Sequence, residues 1–304
     1  MHAVQIENVT KRFGNFAAVD DLSLTVPEGS IYGFIGPNGS GKTTTMRMIM
    51  RILHPDVGHI RVLGEERVGA ANDRVGYLPE ERGLYRQMKV RDVLRFHAQL
   101  KNFHDCRPAI AEWLERFGLS DWANKRVEAL SKGMAQKVQF IATVLAKPEL
   151  VLLDEPFSGL DPVNAVVLRE AVLELKKQGI TVIFSTHDMS IAEKMCDAIF
   201  MIYKGKKVLD GSMDQIQEQY GSDTIRVRLQ EANVPLDGLP GVEQVTDFGR
   251  MQELRLSRDH GETQDLLSAL MRRGQVLHFE VARPSLQDIF VRIAGVAEGE
   301  SVGA

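Results

Sequence analysis

One short glycine-rich segment constrains the fold of this chain more than any other, and it reads Gly36, Pro37, Asn38, Gly39, Ser40, Gly41, Lys42 and Thr43. It follows an apolar run over 30–35 that predicts a buried strand, and it opens a helical pattern that extends to about Leu53. The spacing GxxxxGK[ST] is that of a phosphate loop, in which backbone N–H groups and the positive end of the helix face phosphate oxygens. We expect Lys42 to reach the β- and γ-phosphates of a nucleotide and Thr43 to hold Mg²⁺.

Strand-like and helix-like patterns alternate through residues 1–220. Besides the strand before the phosphate loop, the apolar patterns predict strands over 4–9, 59–63, 150–153 and 180–185, and two strands around a Lys-Gly turn between 199 and 208. Helical spacing predicts helices over 42–53, 107–117, 131–146 (with Ser131 as the N-cap) and 162–178. This alternation predicts an α/β fold with a mostly parallel sheet that is covered on both faces.

The pattern changes after Tyr220. Period-two alternation predicts strands over 225–229, 254–256 and 276–281, and helical spacing predicts helices over 261–273 and 284–293. We therefore expect one domain over 1–220, a small α+β accessory domain over 221–294, and a frayed tail over 295–304.

Length and charge narrow the class of protein. A chain of 304 residues can bury one large core or two moderate ones, and its formal net charge of -4 gives no support to a nucleic-acid partner. Cys106 and Cys196 fit no metal or redox spacing and are expected to be reduced thiols. No stretch approaches the ~20 apolar residues of a membrane span, so any spanning segment is expected to belong to another chain.

Carboxylates and a histidine follow two of the predicted strands. Asp154 and Glu155 end the apolar strand LVLL, where Asp154 can hold Mg²⁺ through water and Glu155 can act as general base toward an attacking water. His187 follows the strand over 180–185, which places it at the same edge of the sheet as the phosphate loop and favours a γ-phosphate contact.

Taken in order, these motifs resemble those of the ATP-binding subunits of ABC transporters, and the resemblance covers residues 1–220. The phosphate loop GPNGSGKTT extends to Thr44, VLLDEP resembles the Walker B strand, and His187 the switch histidine. Phe13 resembles the aromatic residue that stacks on adenine. Two further motifs match: the signature LSKGM, which contains Ser131, Lys132, Gly133 and Met134, and the D-loop, which consists of Ser158, Gly159, Leu160 and Asp161.

The resemblance implies a phosphate-loop ATPase core with antiparallel β and helical subdomains, and a geometry that one chain cannot supply. Two subunits, identical or related, would pair head to tail, so that ATP and Mg²⁺ on one phosphate loop are closed by Ser131 and Gly133 of the other subunit. Residues 81–94 would contact a multi-span membrane permease, which would hold this chain at the cytoplasmic face of the cell membrane.

Two positions depart from the family pattern. Glu80, in VGYLPEERGLY, stands where the family usually has Gln; a carboxylate can still ligate Mg²⁺, but it adds negative charge near the γ-phosphate. Its effect could be stronger metal dependence or slower turnover. Lys132 and Met134 replace the usual residues of the LSGGQ signature, whereas Ser131 and Gly133, which are expected to meet phosphate, are intact.

These features together resemble one subgroup, the exporters whose ATPase and six-helix permease are separate chains, including sodium exporters of the NatA type. The segment PSLQDIF, 284–290, is expected to complete the accessory domain by packing. Two other functions stay open: a soluble ABC ATPase in translation or DNA repair, and a regulatory subunit that binds ATP without hydrolysing it. The chain has neither a second such domain nor a coiled-coil insertion, and Glu155 and His187 are intact.

Overall fold

The structure is a computed structural model, and it describes residues 1–66, 73–81, 83–220, 224–231, 234–257 and 263–299. The chain divides into two compact units, Met1–Met213 and Asp214–Ala304. The division falls between residues 213 and 214, whereas the sequence pattern changes later, after Tyr220.

The first unit contains the strands and helices that build the candidate site. Its strands are β1 (His2–Phe13), β2 (Phe16–Pro27), β3 (Ile31–Ile35), β4 (Val57–Val62), β5 (Val75–Leu78), β6 (Leu150–Leu153), β7 (Thr181–Thr186), β8 (Ala198–Tyr203) and β9 (Lys206–Ser212). Its helices are α1 (Lys42–Ile49), α2 (Val90–Leu100), α3 (Arg107–Arg116), α4 (Lys132–Val144), α5 (Pro162–Lys177) and α6 (Met189–Met195), and α7 (Met213–Tyr220) follows at the division.

A six-stranded sheet with the order β5-β6-β7-β3-β8-β9 forms the centre of this unit. All of its neighbouring strands are parallel except β8 and β9. Strands β3, β6 and β7 are buried along their whole length, because apolar clusters cover both faces of the sheet. The carboxyl ends of these three strands meet at one edge, so the segments that follow Ile35, Leu153 and Thr186 lie together. The predicted α/β fold class is confirmed.

A second sheet of three antiparallel strands, in the order β2-β1-β4, packs over the central one. Strands β1 and β2 form a long hairpin whose end pairs Phe13 with Phe16. The sequence pattern predicted only residues 4–9 of this hairpin. Four register shifts between β1 and β2 interrupt the period-two alternation, which explains why the rest was not recognised.

Most predicted elements are present with small changes at their ends. Helix α1 ends at Ile49 rather than at Leu53, because Arg51 adopts a left-handed conformation (φ 54°) that a helix cannot continue through. Ser131 caps α4 as predicted, since its Oγ accepts a hydrogen bond from the Met134 N–H. Elements β5, α2 and α6 were not predicted from the sequence.

The second unit is a four-stranded antiparallel sheet with helices. Its elements are β10 (Thr224–Leu229), β11 (Val242–Asp247), β12 (Gln252–Leu256), α8 (Thr263–Arg273), β13 (Val276–Ala282) and α9 (Leu286–Gly299), with the strand order β11-β12-β10-β13. Ile225, Val227 and Leu254 from the sheet and Leu266 and Leu270 from α8 are buried together. This is the predicted α+β architecture, with β11 as an additional strand.

Helix α9 begins inside the segment PSLQDIF. Ser285 and Asp288 cap it reciprocally, because Asp288 Oδ2 accepts from the Ser285 N–H (2.9 Å) and Ser285 Oγ accepts from the Asp288 N–H (3.1 Å). The segment is therefore a capped helix start. The helix continues to Gly299, past the point where the tail was expected to fray, and residues 300–304 lie outside the described residues.

Candidate ATPase site

The phosphate loop joins β3 to α1, as the spacing of its glycines predicted. Gly36 and Gly41 have positive φ angles of 155° and 117°. A Cβ on Gly36 would lie 2.2 Å from the carbonyl oxygen of Ile202, and one on Gly41 would lie 2.5 Å from that of Ala18. Both positions therefore require glycine. No side chain caps α1, so its first N–H groups are left to bind phosphate.

Lys42 is buried in the turn that precedes it. Its ammonium donates hydrogen bonds to the carbonyl oxygens of Gly36 (2.7 Å) and Pro37 (3.1 Å) and lies 3.7 Å from Glu155 Oε1. Burial lowers the pKa of Lys42, and the carboxylates of Glu155 and Asp154 act in the opposite direction. The lysine is thus held at the loop by groups that phosphate oxygens could replace.

Asp154 is buried at the end of β6 and faces the start of α1. Thr43 Oγ1 donates to Asp154 Oδ1 (3.2 Å), and Ser185 Oγ donates to the same oxygen (2.6 Å). The second oxygen, Asp154 Oδ2, is buried and has no hydrogen-bond partner among the described residues. A free carboxylate oxygen beside a threonine hydroxyl suits Mg²⁺, which uses one or two carboxylates together with phosphate oxygens and water.

Glu155 and His187 come together from β6 and β7. His187 Nδ1 lies 3.1 Å from each carboxylate oxygen of Glu155. The Glu155 N–H donates to Ser185 Oγ (2.9 Å). The backbone of Glu155 has a left-handed φ of 49°, so the chain leaves the strand conformation at this residue. Glu155 is buried, whereas the imidazole is about half exposed.

The residues of the phosphate loop line a pocket of about 490 Å³, which we call the main pocket. Its remaining walls are Phe13 and Phe16 from the end of the β1–β2 hairpin, with Glu80 and Glu155 at the other side. Both rings are largely exposed, at 49% for Phe13 and 61% for Phe16. Phe13 was predicted from the sequence and Phe16 was not, although two phenylalanines only three residues apart were a visible signal.

A second, smaller space lies beside the main pocket, and we call it the lateral cavity. It has a volume of about 140 Å³ and is lined by Leu78, Pro79, Glu80, Lys132, Gln136, Gln139, Asp154, Glu155 and Ser158. Glu80 and Glu155 line both spaces. Since a water molecule occupies about 30 Å³ in the liquid, the cavity can hold roughly five of them. Water can therefore lie directly against Glu155.

Helix α4 holds the segments around this cavity. Gln139 Nε2 lies 3.2 Å from the carbonyl oxygen of Glu81 and 3.5 Å from that of Pro79, the residues on either side of Glu80. Gln136 Nε2 donates to the carbonyl oxygen of Pro156, next to Glu155. Neither these two glutamines nor Ser185 was predicted from the sequence. The two glutamines could have been predicted from their spacing, because they lie three residues apart shortly after the signature.

The signature and the D-loop contact each other within the chain. A Cβ on Gly133 would lie 3.3 Å from Asn164 Nδ2 and 3.6 Å from Leu160 Cδ2. Asp161 caps α5 by accepting from the Asn164 N–H (3.0 Å). Ser131 is exposed, and none of the described residues that line the main pocket comes from the signature.

The described residues contain no group of three or more His, Cys, Asp or Glu side chains placed to hold a metal ion by themselves. A phosphate loop, a strand-end carboxylate pair and a histidine at one edge of a parallel sheet define the class, a phosphate-loop ATPase.

Comparison with known proteins narrows the class to one family. Residues 19–158 match the family "ABC transporter", and residues 211–294 match "ATP-binding protein DrrA1-3-like, C-terminal domain". An uncharacterized ABC transporter ATP-binding protein, YhaQ of Bacillus subtilis, is 42% identical over 293 residues, which are 95% of this chain and 98% of that protein. The chain therefore belongs to the ATP-binding proteins of ABC transporters.

A relative with a named role and, separately, a solved structure support the same family. The daunorubicin resistance ATP-binding protein DrrA3 of Streptomyces coeruleorubidus is 32% identical over 308 residues, 96% of each chain. An ATP-binding subunit of an ABC transporter superposes with a TM-score of 0.68 at 28% identity, over 72% of this chain and 93% of that one. The chain is thus an ATP-binding protein with ATPase activity coupled to transport. None of the helices in its described part is long and apolar enough to span a membrane.

Proposed function

We propose that this chain hydrolyses ATP at a site completed by a second subunit and thereby drives export through a separate membrane permease. The observation that carries the proposal is the contact between Glu155 and His187 beside the phosphate loop. The oriented Glu155 carboxylate lines both the main pocket, which suits a nucleotide, and the lateral cavity, which suits water.

Each residue has a role in this proposal. Lys42 exchanges its carbonyl partners for the β- and γ-phosphates, Phe13 and Phe16 stack on adenine, and His187 orients Glu155. Glu155 accepts a proton from the attacking water, and the oxygen of that water bonds to the γ-phosphorus. The bond from the γ-phosphorus to the bridging oxygen breaks, and ADP leaves. Thr43, Asp154 and Glu80 would hold Mg²⁺, which supplies neutralisation of phosphate charge when bound.

The second subunit is proposed because Ser131 is exposed and no described signature residue lines the chain's own main pocket. Ser131 is also the N-cap of α4, at the end of the helix where anions bind favourably. In a head-to-tail pair, Ser131 and Gly133 would close the main pocket of the partner subunit. Whether the partner is a second copy or a related subunit is an outcome of the experiment below.

The permease contact is proposed for the helical part of the first unit. Tyr85 is 55% exposed and stacks edge-on against Phe96 of α2, and Leu100 at the end of that helix is 61% exposed. Tyr85, within the predicted contact segment 81–94, and Leu100 offer exposed apolar area for a membrane partner. Residue 82 of that segment lies outside the described residues. Such a contact would place the chain at the cytoplasmic face of the cell membrane.

The direction of transport is supported by a relative. DrrA3 is named as a daunorubicin resistance protein, and resistance fits export. The sodium-exporter subtype of this group is a narrower prediction that these relatives do not test. The names of the relatives favour transport over a role in translation or DNA repair, and the buried Glu155 beside His187 favours hydrolysis over ATP binding alone.

Glu155→Gln is the variant that tests the proposal. We expect it to bind ATP, to lose ATP hydrolysis by about 10²- to 10⁴-fold, and to elute as a dimer in the presence of ATP and as a monomer without it. A hydrolysis rate equal to that of the wild type would remove the proposed base, and an ATP-bound monomer would remove the shared site. Purification of the full chain from membranes tests whether a permease purifies with it. If no membrane protein purifies with the chain, export through a separate permease is contradicted.

A further inference from the structure

Two positions in this chain carry a charge where the family pattern is uncharged. Glu80 replaces a glutamine, which adds one negative charge, and Lys132 replaces a glycine, which adds one positive charge. They are far apart in the sequence and belong to different elements: Glu80 follows β5, and Lys132 is the first residue of α4. Nothing in the sequence relates them.

The structure brings both residues to the wall of the lateral cavity. Asp154 and Glu155 face the same small space, so three carboxylates surround a volume that holds only a few water molecules. Among the described residues that line this cavity, Lys132 is the one cation. Like charges this close disfavour one another, and a cation at the same wall offsets part of that cost.

Helix α4 connects the segments that carry the two residues. Lys132, Gln136 and Gln139 are spaced at i, i+4 and i+7, so they share one face of the helix. Gln139 at the far end of that face lies at the carbonyl groups on both sides of Glu80. The segment that carries Glu80 is thus attached to the same helix face that carries Lys132.

The D-loop restricts where the lysine side chain can lie. A Cβ added to Gly159 would lie 2.6 Å from Lys132 Nζ and 3.0 Å from Lys132 Cε. The side chain therefore passes across Gly159, at the edge of its own catalytic site, although the signature as a whole is expected to face the nucleotide of the partner. Because the Lys132 side chain lies at its own catalytic site, its charge can act on that of Glu80.

We propose that Lys132 is a positioning residue that acts within its own chain, where it offsets the negative charge that Glu80 adds to the lateral cavity. The two departures from the family pattern then function as one pair. The inference rests on the proposed function in one respect, namely that the attacking water occupies this cavity. The rival role for Lys132 is a contact with the phosphates bound by the partner subunit.

A double-mutant cycle on the full-length chain distinguishes these roles. The variants are Glu80→Gln, Lys132→Met, the double variant, and Lys132→Arg, with Lys177→Met on the exposed end of α5 as the matched control. We expect Lys132→Met to lower kcat by about three- to tenfold when Glu80 is present, with a KM for ATP that changes less than kcat. When Glu80→Gln is already in place the same substitution is expected to lower kcat less, because only Asp154 and Glu155 then remain as carboxylates at the cavity. Lys132→Arg in the wild-type background should keep a kcat close to that of the wild type.

A second measurement needs no turnover and no metal ion. Affinity for trinitrophenyl-ATP, measured in EDTA by fluorescence, reports the charge that the phosphates meet. Lys132→Met is expected to weaken this affinity more in the wild-type background than in the Glu80→Gln background, and Lys177→Met is expected to leave it unchanged. Thermal unfolding of every variant establishes that it is folded.

Equal effects of Lys132→Met in the two backgrounds, in both measurements, would overturn the pairing and favour a phosphate contact in the partner site. Failure of Lys132→Arg to restore kcat would also contradict a role based on charge. These results can be separated from those on the proposed function. Additive effects combined with an inactive Glu155→Gln variant contradict only the pairing, whereas an active Glu155→Gln variant contradicts the proposed base whatever the cycle shows.

Discussion

His187 Nδ1 lies 3.1 Å from both carboxylate oxygens of Glu155. An ionised carboxylate can only accept hydrogen bonds, so the imidazole holds Glu155 in the tautomer that carries a proton on Nδ1. The buried carboxylate is held by an imidazole that is half exposed, so the orientation of Glu155 depends on a side chain that solvent and ligand can reach.

His187→Ala is expected to lower kcat by about 10²-fold, the typical cost of misplacing a catalytic group by about an ångström. ATP affinity is expected to change much less, because Lys42 and the phosphate loop are untouched. His187→Gln, which can still donate to Glu155, should recover part of the rate. Steady-state hydrolysis and nucleotide binding measure the two effects, with the exposed His104→Ala as control. Equal kcat for His187→Ala and the wild type would exclude the orienting role.

Ser185→Ala is expected to destabilise the protein, because Ser185 Oγ both donates to Asp154 and accepts from the Glu155 N–H. The substitution leaves the buried Glu155 N–H without its partner and Asp154 Oδ1 with Thr43 Oγ1 alone. An unpaired buried group costs about 1–3 kcal/mol. Urea unfolding should show a lower free energy of unfolding than that of Ser120→Ala, an exposed serine that serves as control. Unfolding curves that coincide for the two variants would show that neither hydrogen bond contributes to stability.

Phe13→Ala and Phe16→Ala are each expected to weaken ATP binding, since both rings line the main pocket. Stacking of a base on an aromatic ring is worth about 1–3 kcal/mol, which corresponds to roughly five- to hundredfold in affinity. Isothermal titration with ATP measures the change, and Phe248→Ala, an exposed phenylalanine of the second unit, is the control. Unchanged affinity in one of the variants would assign adenine to the other ring alone.

Gln139→Leu is expected to lower kcat with little change in KM for ATP. The substitution keeps the size of the side chain but removes its amide from the carbonyl groups that flank Glu80, so Glu80 loses its attachment to α4. Gln99→Leu, at an exposed position of α2, is the control for the same chemical change. A kcat equal to that of the control would mean that the Glu80 segment is held by other contacts.

Much of the site could be predicted because its motifs are local. The phosphate loop, the strand LVLL with Asp154 and Glu155, and the N-cap Ser131 each depend on neighbours within a few residues. Strand β2 and Phe16 could not be recognised in this way, because their positions follow from a bulged pairing with β1. Helix α2 was missed, although Val90, Val93 and Leu94 form its buried face.

The sequence by itself determined the order of the motifs and therefore the class of the protein, since a phosphate loop, a signature and a strand-end carboxylate pair are each defined by spacing along the chain. Only the tertiary structure decided which of these residues meet. It brought Glu155 to His187 through the neighbouring ends of β6 and β7, and it brought Glu80 and Lys132 to one cavity through the face of α4. The physical reason is that charges and hydrogen bonds act over a few ångströms in space, whatever the number of residues between the groups in the chain.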